Sequence, residues 1–270
     1  MRVTFATNPG GPGENEDWCI AAPDLAIVLD GLSAPGGDTG CKHGTPWYVR
    51  QLGGRLVTHL ADPHTSLPDA LATAIGDVSD QHRQTCDLSH PGTPSSTVAA
   101  VRESGNGDLQ YLALADSVIL LDTTAGIQVL TDNRVDHALV EEQEATFQEP
   151  IDSPAHRELL RKLVKAQRDF RNTPQGYWVA STDPQAAREA ITGSVPLAEL
   201  RRAAVLSDGV TRLVDQYFRD TWAGLLDLLE EAGPAGLIRR VRRADAQDPE
   251  GRGIGHYKRS DDATVIWISW

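Results

Sequence analysis

Two aspartates stand at positions where they could do chemistry, because each comes at the end of an apolar stretch. Asp30 comes after LAIVL at residues 25–29, and Asp208 lies in AAVLSDG at residues 203–209. Such short unbroken apolar runs predict strands buried on both faces. An ionised carboxylate at the end of a buried strand is costly unless a cation or hydrogen-bond donors meet it. The pattern therefore predicts that two carboxylates lie at one edge of a sheet, where a cation or hydrogen-bond donors must compensate their charge.

Asp17 is a third carboxylate that local pairing would bring to the same place. Residues 17–22 and 25–30 flank Pro23-Asp24, a plausible two-residue turn, and that register sets Asp17 opposite Asp30. Like charges opposite each other on two paired strands are destabilising. Two interpretations remain open from the hairpin alone: a slipped register with Asp17 in solvent, or a divalent cation between the two. An all-oxygen site suits magnesium, manganese or calcium.

Composition limits the partners that this chain of 270 residues can have. It carries 25 Lys+Arg against 38 Asp+Glu, a net charge of −13, which weighs against binding a nucleic-acid backbone. Its apolar runs are too short to cross a bilayer, and the N-terminus lacks the apolar segment of a signal peptide. Three widely spaced cysteines (Cys19, Cys41 and Cys86) weigh against a disulfide framework and a cysteine-built zinc site. We therefore expect a cytoplasmic protein with reduced thiols.

The remaining pattern mixes helices with short strands, and no Pro/Ser-rich linker divides it. We expect one domain over residues 1–270. Helices are predicted to begin at Thr45-Pro46 and at Ser153, where Ser is a good N-cap and Pro suits the first helical position. A further helix is predicted near residues 71–78, and an antiparallel meander over residues 96–131. The other predicted elements are strands at 3–6, 176–180 and 263–269 and helices at 134–144, 210–218, 221–232 and 234–244.

Short acidic motifs recur along the chain in a particular order. They are Glu16-Asp17, Asp30-Gly31 in LDG, SST at 95–97, Asp116 in ADS, Asp208 in LSDG and Asp261 in SDDATVI. The segment LT-x-x-x-x-DH, at residues 130–137, follows the central hairpins. This order resembles the metal-dependent serine/threonine protein phosphatases of the phosphatase 2C (PPM) type, over nearly the whole chain.

The resemblance implies an α+β fold, a four-layer α-β-β-α sandwich of two antiparallel sheets flanked by helices. It also implies a binuclear Mn²⁺ or Mg²⁺ centre at one end of the sandwich. By matching motif, Asp30 would bridge both metals and the Gly31 carbonyl would bind one of them. The other residues carried over as ligands are Asp208 and Asp261 for the first metal, Glu16 and Asp17 for the second, and Asp116 for a third, weaker site. Asp262 stands where the family usually has Asn, so the ligand role goes to Asp261.

Two metals about 4 Å apart lower the pKa of a shared water and hold a phosphoryl group in line for attack. Such transfer depends mainly on positioning and charge neutralisation. The implied activity is hydrolysis of phosphoserine and phosphothreonine in proteins by a metal-bridging hydroxide, with Asp30 and Asp208 as the catalytic carboxylates. The implied partner is a phosphoprotein whose phosphate was added by a serine/threonine kinase.

The substrate half of the site departs from the family pattern. Pro12 stands where family members usually carry an arginine that grips the substrate phosphate, and the residues after Asp-Gly are Leu32-Ser33-Ala34-Pro35. Lys42 and Arg134 are replacement cations by sequence position. These departures keep two alternatives open, a pseudophosphatase that binds a phosphoprotein or regulator without turnover, and a metal-stabilised domain without phosphate chemistry.

His43 has two interpretations. It could be the general acid that protonates the leaving oxygen, or a histidine at a helix start packed by Trp47, which the sequence favours. A zinc site at Cys41 and His43 lacks sulfur and imidazole partners nearby in the sequence.

Overall fold

The computed structural model describes residues 1–32, 38–217, 220–251 and 257–270. Its centre is a pair of five-stranded antiparallel sheets. The first sheet contains, in spatial order, β1 (Arg2–Asn8), β10 (Ala263–Ser269), β9 (Leu200–Leu206), β6 (Val118–Thr123) and β7 (Gly126–Leu130). The second contains β2 (Trp18–Ala21), β3 (Leu25–Leu29), β4 (Val98–Glu103), β5 (Asp108–Leu114) and β8 (Ile191–Pro196).

Helices cover the outer face of each sheet. The second sheet is covered by α1 (Thr45–Leu60) and α2 (Leu67–His82), and the first by α6 (Asp208–Asp215) and α7 (Trp222–Asp245). The other helices are α3 (Arg134–His137), α4 (Val140–Phe147), α5 (Pro154–Phe170) and the 3₁₀ turns Pro184–Glu189 and Leu197–Glu199. A third apolar core fills the space between the sheets. The predicted four-layer sandwich is confirmed. Within the described ranges, no helix combines the length and the apolar character needed to cross a membrane.

The strand β3 explains its unbroken apolar sequence, because both of its faces are buried. Ile27 and Leu29 pack in the core beneath the helices α1 and α2, whereas Ala26 and Val28 face the core between the sheets. All five residues of the strand are buried. A strand in this position has no solvent face and needs no alternation of polar and apolar residues.

Strand register gathers many loop residues at one end of the sandwich. Trp18 pairs with Leu29 and Val118 with Leu206, so the start of one strand lies beside the end of its antiparallel neighbour. The predicted register of the first hairpin is confirmed, and it leaves Asp17 and Asp30 facing each other just beyond its last pair. The ends of β1, β3, β5 and β9 thus meet the starts of β2, β4, β6 and β10.

The predicted meander over residues 96–131 is wrong in its topology. Its four strands exist, but β4 and β5 belong to one sheet while β6 and β7 belong to the other. The chain crosses between the sheets at Ala115, whose φ of 65° lies in the left-handed region. Local pattern cannot separate the two arrangements, because a tight turn and a crossing between sheets can occupy the same few residues.

Other element predictions also need correction. The predicted strand at 176–180 is not a strand; two isolated bridges, Arg171 with Tyr177 and Ser96 with Ala180, replace it. The predicted helix at 134–144 is divided at Leu139, which adopts φ 61° and separates α3 from α4. The strand β8 was not predicted, because its exposed residues lack an apolar stripe. The two helices predicted at 221–232 and 234–244 are confirmed: they share the label α7 but are separated at Gly233, whose φ of 68° and ψ of 177° are not helical. The predicted starts at Thr45 and Ser153 and the strand at 263–269 are confirmed.

The glycine pair Gly53-Gly54 in α1 allows a direct test of how tightly this helix packs on β2. A Cβ added at Gly53 would lie 2.4 Å from Trp18 Cε3, whereas one at Gly54 would meet nothing within 4 Å. We expect Gly53→Ala to destabilise the fold by about 1–3 kcal/mol through overpacking. Gly54→Ala should instead stabilise the fold by about 0.5–1 kcal/mol, because alanine restricts the unfolded chain and favours the helix. Urea unfolding of both variants measures the difference, and equal effects would contradict the close packing on Trp18.

Candidate metal centre

One cavity of about 820 Å³ opens at the end of the sandwich where the strand termini meet. Its lining includes these residues expected to bind metal: Glu16, Asp30, Gly31, Asp116, Asp208 and Asp261. The seventh, Asp17, is 7% exposed and does not line the cavity. Long-range strand pairing therefore brings together carboxylates that are up to 245 positions apart in the chain, as Glu16 and Asp261 are.

Residues of the first sheet and its strand ends hold the Asp17 side chain in place. The hydroxyl of Ser207 donates to Asp17 Oδ2 at 2.9 Å, and the Ser207 hydroxyl oxygen itself accepts the Thr264 N–H at 2.9 Å. Asp17 Oδ1 is buried and has no hydrogen-bond partner among the described residues. Burial raises the pKa of Asp17 to about 7, with a further rise from the charge of Asp208. An orphaned carboxylate oxygen in this position fits a cation ligand.

The other carboxylates also oppose one another's ionisation. Burial, and then the charges of Asp17 and Asp208, raise the pKa of Asp30 well above its usual range. Burial and the charge of Asp261 raise the pKa of Asp208 to about 6, and the carboxyls of Asp30 and Asp208 share a hydrogen bond. Burial and Asp208 raise the pKa of Asp116 to about 8. Such a group cannot be fully ionised at neutral pH unless positive charge is added.

The donor set fits hard divalent cations. Every candidate ligand atom is a carboxylate or carbonyl oxygen, which is the preference of Mg²⁺ and Mn²⁺. These oxygens do not converge on one point. Among the described residues, one group of three or more His, Cys, Asp or Glu has all its ligand atoms within 4.8 Å of each other, and it lies elsewhere. A set of acids spread along a cavity is compatible with more than one ion.

Asp30 and Gly31 are held by the segment that precedes β4. The Asp30 N–H donates to Thr97 Oγ1 at 3.2 Å, and the Thr97 N–H donates to the Asp30 carbonyl at 2.9 Å. Gly31 forms an isolated bridge with Ser96. The Thr97 hydroxyl lies 2.6 Å from that of Ser117, so both sheets fix its orientation. The SST motif therefore positions the backbone on which the Asp30 carboxylate stands.

Asp262 has a different task from its neighbour Asp261. Its two oxygens accept the N–H of Gly10 at 2.7 Å and the N–H of Glu16 at 2.6 Å, which ties the N-terminal loop to β10. Asp261, but not Asp262, lines the cavity. The start of α6 also packs closely against Asp262, because a Cβ added at Gly209 would lie 1.9 Å from the Asp262 carbonyl oxygen. This arrangement is consistent with Asp261 as the ligand of the pair.

The cations at the cavity are not those expected from the sequence. Lys258 Nζ lies 2.7 Å from Asp261 Oδ1, and the charges of Asp261, Asp208 and Asp30 together raise the Lys258 pKa although burial lowers it. Arg157, Arg171 and Arg259 also line the cavity. In the sequence, the signal for these cations is the pair Lys258-Arg259 directly before the SDD motif.

Three residues expected at the substrate phosphate lie outside the cavity lining. Arg134 pairs with Asp132 at 2.6 Å and with Glu189 at 3.4 Å. Lys42 is exposed in the loop before α1. His43 stacks on Trp47 with ring centroids 4.1 Å apart, which is the packing role that the sequence favoured. The proposed substrate roles of Lys42 and His43 therefore lack a place at this cavity.

The comparisons with known proteins agree with the fold. The profile described as "Protein phosphatase 2C" matches residues 15–242. The chain belongs to the protein phosphatase 2C family, a family of serine/threonine phosphatases. No curated protein matches the chain.

Solved structures share the fold at low sequence identity. The Mycobacterium tuberculosis serine/threonine phosphatase PstP/Ppp matches with a TM-score of 0.58 and 16% identity, covering 99% of this chain and 97% of that one. The Staphylococcus aureus phosphatase Stp1 matches with a TM-score of 0.60 and 16% identity, covering 100% and 95%. The Mycobacterium smegmatis PPM Ser-Thr phosphatase MsPP, in complex with cacodylate, matches with a TM-score of 0.53 and 20% identity, covering 100% and 98%. A structure of the PstP catalytic domain is in complex with 2 manganese ions.

Crowding of the carboxylates predicts a smaller stabilisation by metal in Asp30→Asn than in the wild type. Mn²⁺ that binds the folded state alone should stabilise the wild type by about 2.7 kcal/mol at a concentration 100 times its Kd. Asp30→Asn removes one charge from the group, so the variant should melt higher than the wild type in EDTA and gain much less from Mn²⁺. Thermal melts over a manganese series measure both effects.

Asp24→Asn is the matched control, because Asp24 is exposed in the turn between β2 and β3. This variant should melt like the wild type at every manganese concentration. A wild-type melting temperature that does not change with manganese would contradict the metal centre.

Proposed function

We propose that this protein is a Mn²⁺- or Mg²⁺-dependent phosphatase that hydrolyses phosphoserine and phosphothreonine in proteins. The observation that carries the proposal is the convergence of Asp30, Asp208 and Asp261 on one cavity, with pKa values of the first two raised by burial and mutual charge. The family membership of the chain supports the same activity. The proposal treats residues 1–270 as one phosphatase domain.

The proposed division of roles follows the motifs matched to the family. Asp30 would hold both ions and the Gly31 carbonyl one of them, with Asp208 and Asp261 completing the ligands of the first ion. Glu16 and Asp17 would hold the second ion directly or through water, and Asp116 a third, weaker one. When bound there, two divalent cations supply an activated water and neutralise charge on the phosphoryl group. The chain itself supplies orientation, because Thr97, Ser207 and Asp262 fix the backbone and carboxylates of the site.

We propose Lys258 as the cation that replaces the arginine absent at Pro12. Its ammonium is at the cavity beside Asp261, so an anionic substrate entering there would meet a positive charge next to the metal ligands. The net charge of −13 makes such a local cation more important, because the rest of the protein repels anions.

The lining of the cavity favours a phosphopeptide whose neighbouring residues are apolar. Besides the acids and cations, the cavity is lined by Leu160, Leu163 and Val164 of α5 together with Tyr177 and Tyr257. An apolar side chain beside the phosphoserine would bury surface against this helix, whereas an acidic one would gain no such burial and would approach against the net charge of −13. The partners we propose are therefore phosphoproteins modified by a serine/threonine kinase, in the cytoplasm.

The pseudophosphatase alternative rests on the departure at Pro12 and on the altered residues that follow Asp30-Gly31. The complete set of carboxylates does not favour it, because a protein that only bound a phosphate would have no use for so many crowded negative charges. It remains an outcome of the activity test, as phosphopeptide binding without turnover.

The activity prediction is Mn²⁺-dependent release of phosphate from phosphoserine peptides, abolished by EDTA. Asp208→Asn should lower turnover by about 100-fold or more, because it removes a metal ligand from a site that works by charge neutralisation. Peptides with leucine beside the phosphoserine should have a lower KM than peptides with glutamate there. Phosphate release measured with wild type, Asp208→Asn and the control Asp24→Asn tests the proposal. Saturable peptide binding by the manganese-loaded wild type without any release would establish the pseudophosphatase instead.

The second activity prediction concerns Lys258→Met, which keeps the length of the side chain and removes its charge. A charge-assisted hydrogen bond to phosphate contributes about 1.5–3 kcal/mol, so KM should rise roughly 10- to 100-fold with kcat less affected. The manganese concentration for half-maximal activity should not increase, because the ammonium competes with the cations for Asp261. Lys162→Met, on the exposed side of α5, is the control and should behave as the wild type. An unchanged KM in Lys258→Met would assign the phosphate to another cation.

A further inference from the structure

A second group of metal-ligating side chains lies apart from the carboxylates. Cys41, His43, His82 and Cys86 offer ligand atoms that all lie within 4.8 Å of one another. Cys41 and His43 stand in the loop before α1, His82 is the last residue of α2, and Cys86 follows in the next turn. The sequence weighs against a cysteine-built zinc site, because partners for Cys41 and His43 are not nearby in the chain. The fold removes that objection, because the packing of α1 against α2 supplies the second thiol and the second imidazole.

The distances resemble the edges of a zinc tetrahedron. Cys41 Sγ lies 3.6 Å from His43 Nδ1 and 3.5 Å from His82 Nδ1, and Cys86 Sγ lies 3.4 Å from His43 Nδ1. With Zn–S near 2.3 Å and Zn–N near 2.0–2.1 Å, a tetrahedral site has sulfur–nitrogen edges of about 3.6 Å. The two sulfur atoms lie 2.9 Å apart. They would separate by about 0.9 Å to reach the sulfur–sulfur edge of roughly 3.8 Å expected in such a site.

The surroundings suit neutral imidazoles and a metal shielded from solvent. His82 is fully buried, and its Nε2 has no hydrogen-bond partner among the described residues. Burial and the neighbouring His43 lower the pKa of His82, which keeps the ring in the neutral form that binds metal. The Trp47 ring stacks on His43 and lies 5.2 Å from His82, so an indole covers one side of the group.

We propose that Cys41, His43, His82 and Cys86 form a tetrahedral zinc site that fastens the loop before α1 to the end of α2. Two thiolates and two imidazoles are the donors that zinc prefers, whereas the carboxylate site suits harder cations. Four protein ligands leave no open position for substrate, so the role of the zinc is structural.

The site would stabilise the segment that leads from the catalytic carboxylates into α1. The loop residues already contact the turn after α2, since the Asp87 N–H donates to the Gly40 carbonyl at 2.8 Å. Gly31 stands only ten positions before Cys41 in the chain. Zinc bound to this loop and to α2 would fasten residues 40–43 to the turn after α2, independently of phosphatase activity.

The test measures metal on the protein rather than turnover. Purified protein, reduced, stripped of metal and then given Zn²⁺, should bind about one zinc per chain that survives gel filtration. Co²⁺ in its place should produce the visible absorption of tetrahedral cobalt together with thiolate charge transfer in the near ultraviolet. Cys86→Ser and His82→Asn should each lower zinc affinity by at least about 100-fold, a larger loss than a change beyond the ligands gives.

Two control variants separate this site from the rest of the protein. Cys19→Ala removes a cysteine outside the group and should keep both the zinc and the cobalt spectrum. Asp30→Asn alters the carboxylate site and should also keep them, which distinguishes the ion from Mn²⁺ bound there. Because the wild-type cobalt spectrum is itself decisive, a variant that fails to fold does not affect the test.

Three outcomes would overturn the proposal. One is the absence of a thiolate–cobalt band in the reduced wild type. Another is a zinc affinity that does not change in folded Cys86→Ser. The last is a Cys41–Cys86 disulfide in the protein before reduction, seen as a mass lower by two hydrogen atoms, together with no uptake of zinc once the protein is reduced.

Discussion

The repulsion among carboxylates at one end of the sandwich is the constraint on which the rest of the structure depends. Asp17, Asp30, Asp116 and Asp208 all have raised pKa values, with burial the largest cause and mutual charge the next. Without a compensating ion, these buried and crowded carboxylates would only lower the stability of the fold. Two buried sheets make the arrangement possible, because their apolar cores hold the strand ends in place against that repulsion.

Hydrogen bonds then decide the orientation of each acid. Thr97 fixes the backbone of Asp30, Ser207 binds one oxygen of Asp17, and Asp262 holds the N-terminal loop that carries Glu16. These partners come from both sheets, so the geometry of the site depends on the stacking of the two and not on either one alone. The substrate side is less constrained by this frame. The family arginine is replaced by Pro12, and the cations that line the cavity come from α5 and from the segment before β10.

Hard and soft ligands are segregated in this protein. Oxygen donors gather at the strand ends, whereas two thiols and two imidazoles gather between the loop before α1 and the end of α2. Thiolates and imidazoles suit zinc, whereas carboxylates suit Mg²⁺ and Mn²⁺. The two groups therefore favour different ions, in keeping with the proposed roles of one in chemistry and of the other in the stability of the neighbouring loop.

The sequence by itself determined those features that depend on local pattern. The buried strand β3, the register of the first hairpin, the starts of α1 and α5 and the last strand follow from runs of apolar residues, turn residues and caps. The order of the acidic motifs was also sufficient to indicate the family and the fold, and the residues that it selected do gather at one end. Tertiary structure alone decided the division of residues 96–131 between two sheets, the position of Lys258 and the meeting of His82 and Cys86 with Cys41 and His43. Each of these depends on which distant segments pack together, and packing is set by the whole core rather than by the residues near each position.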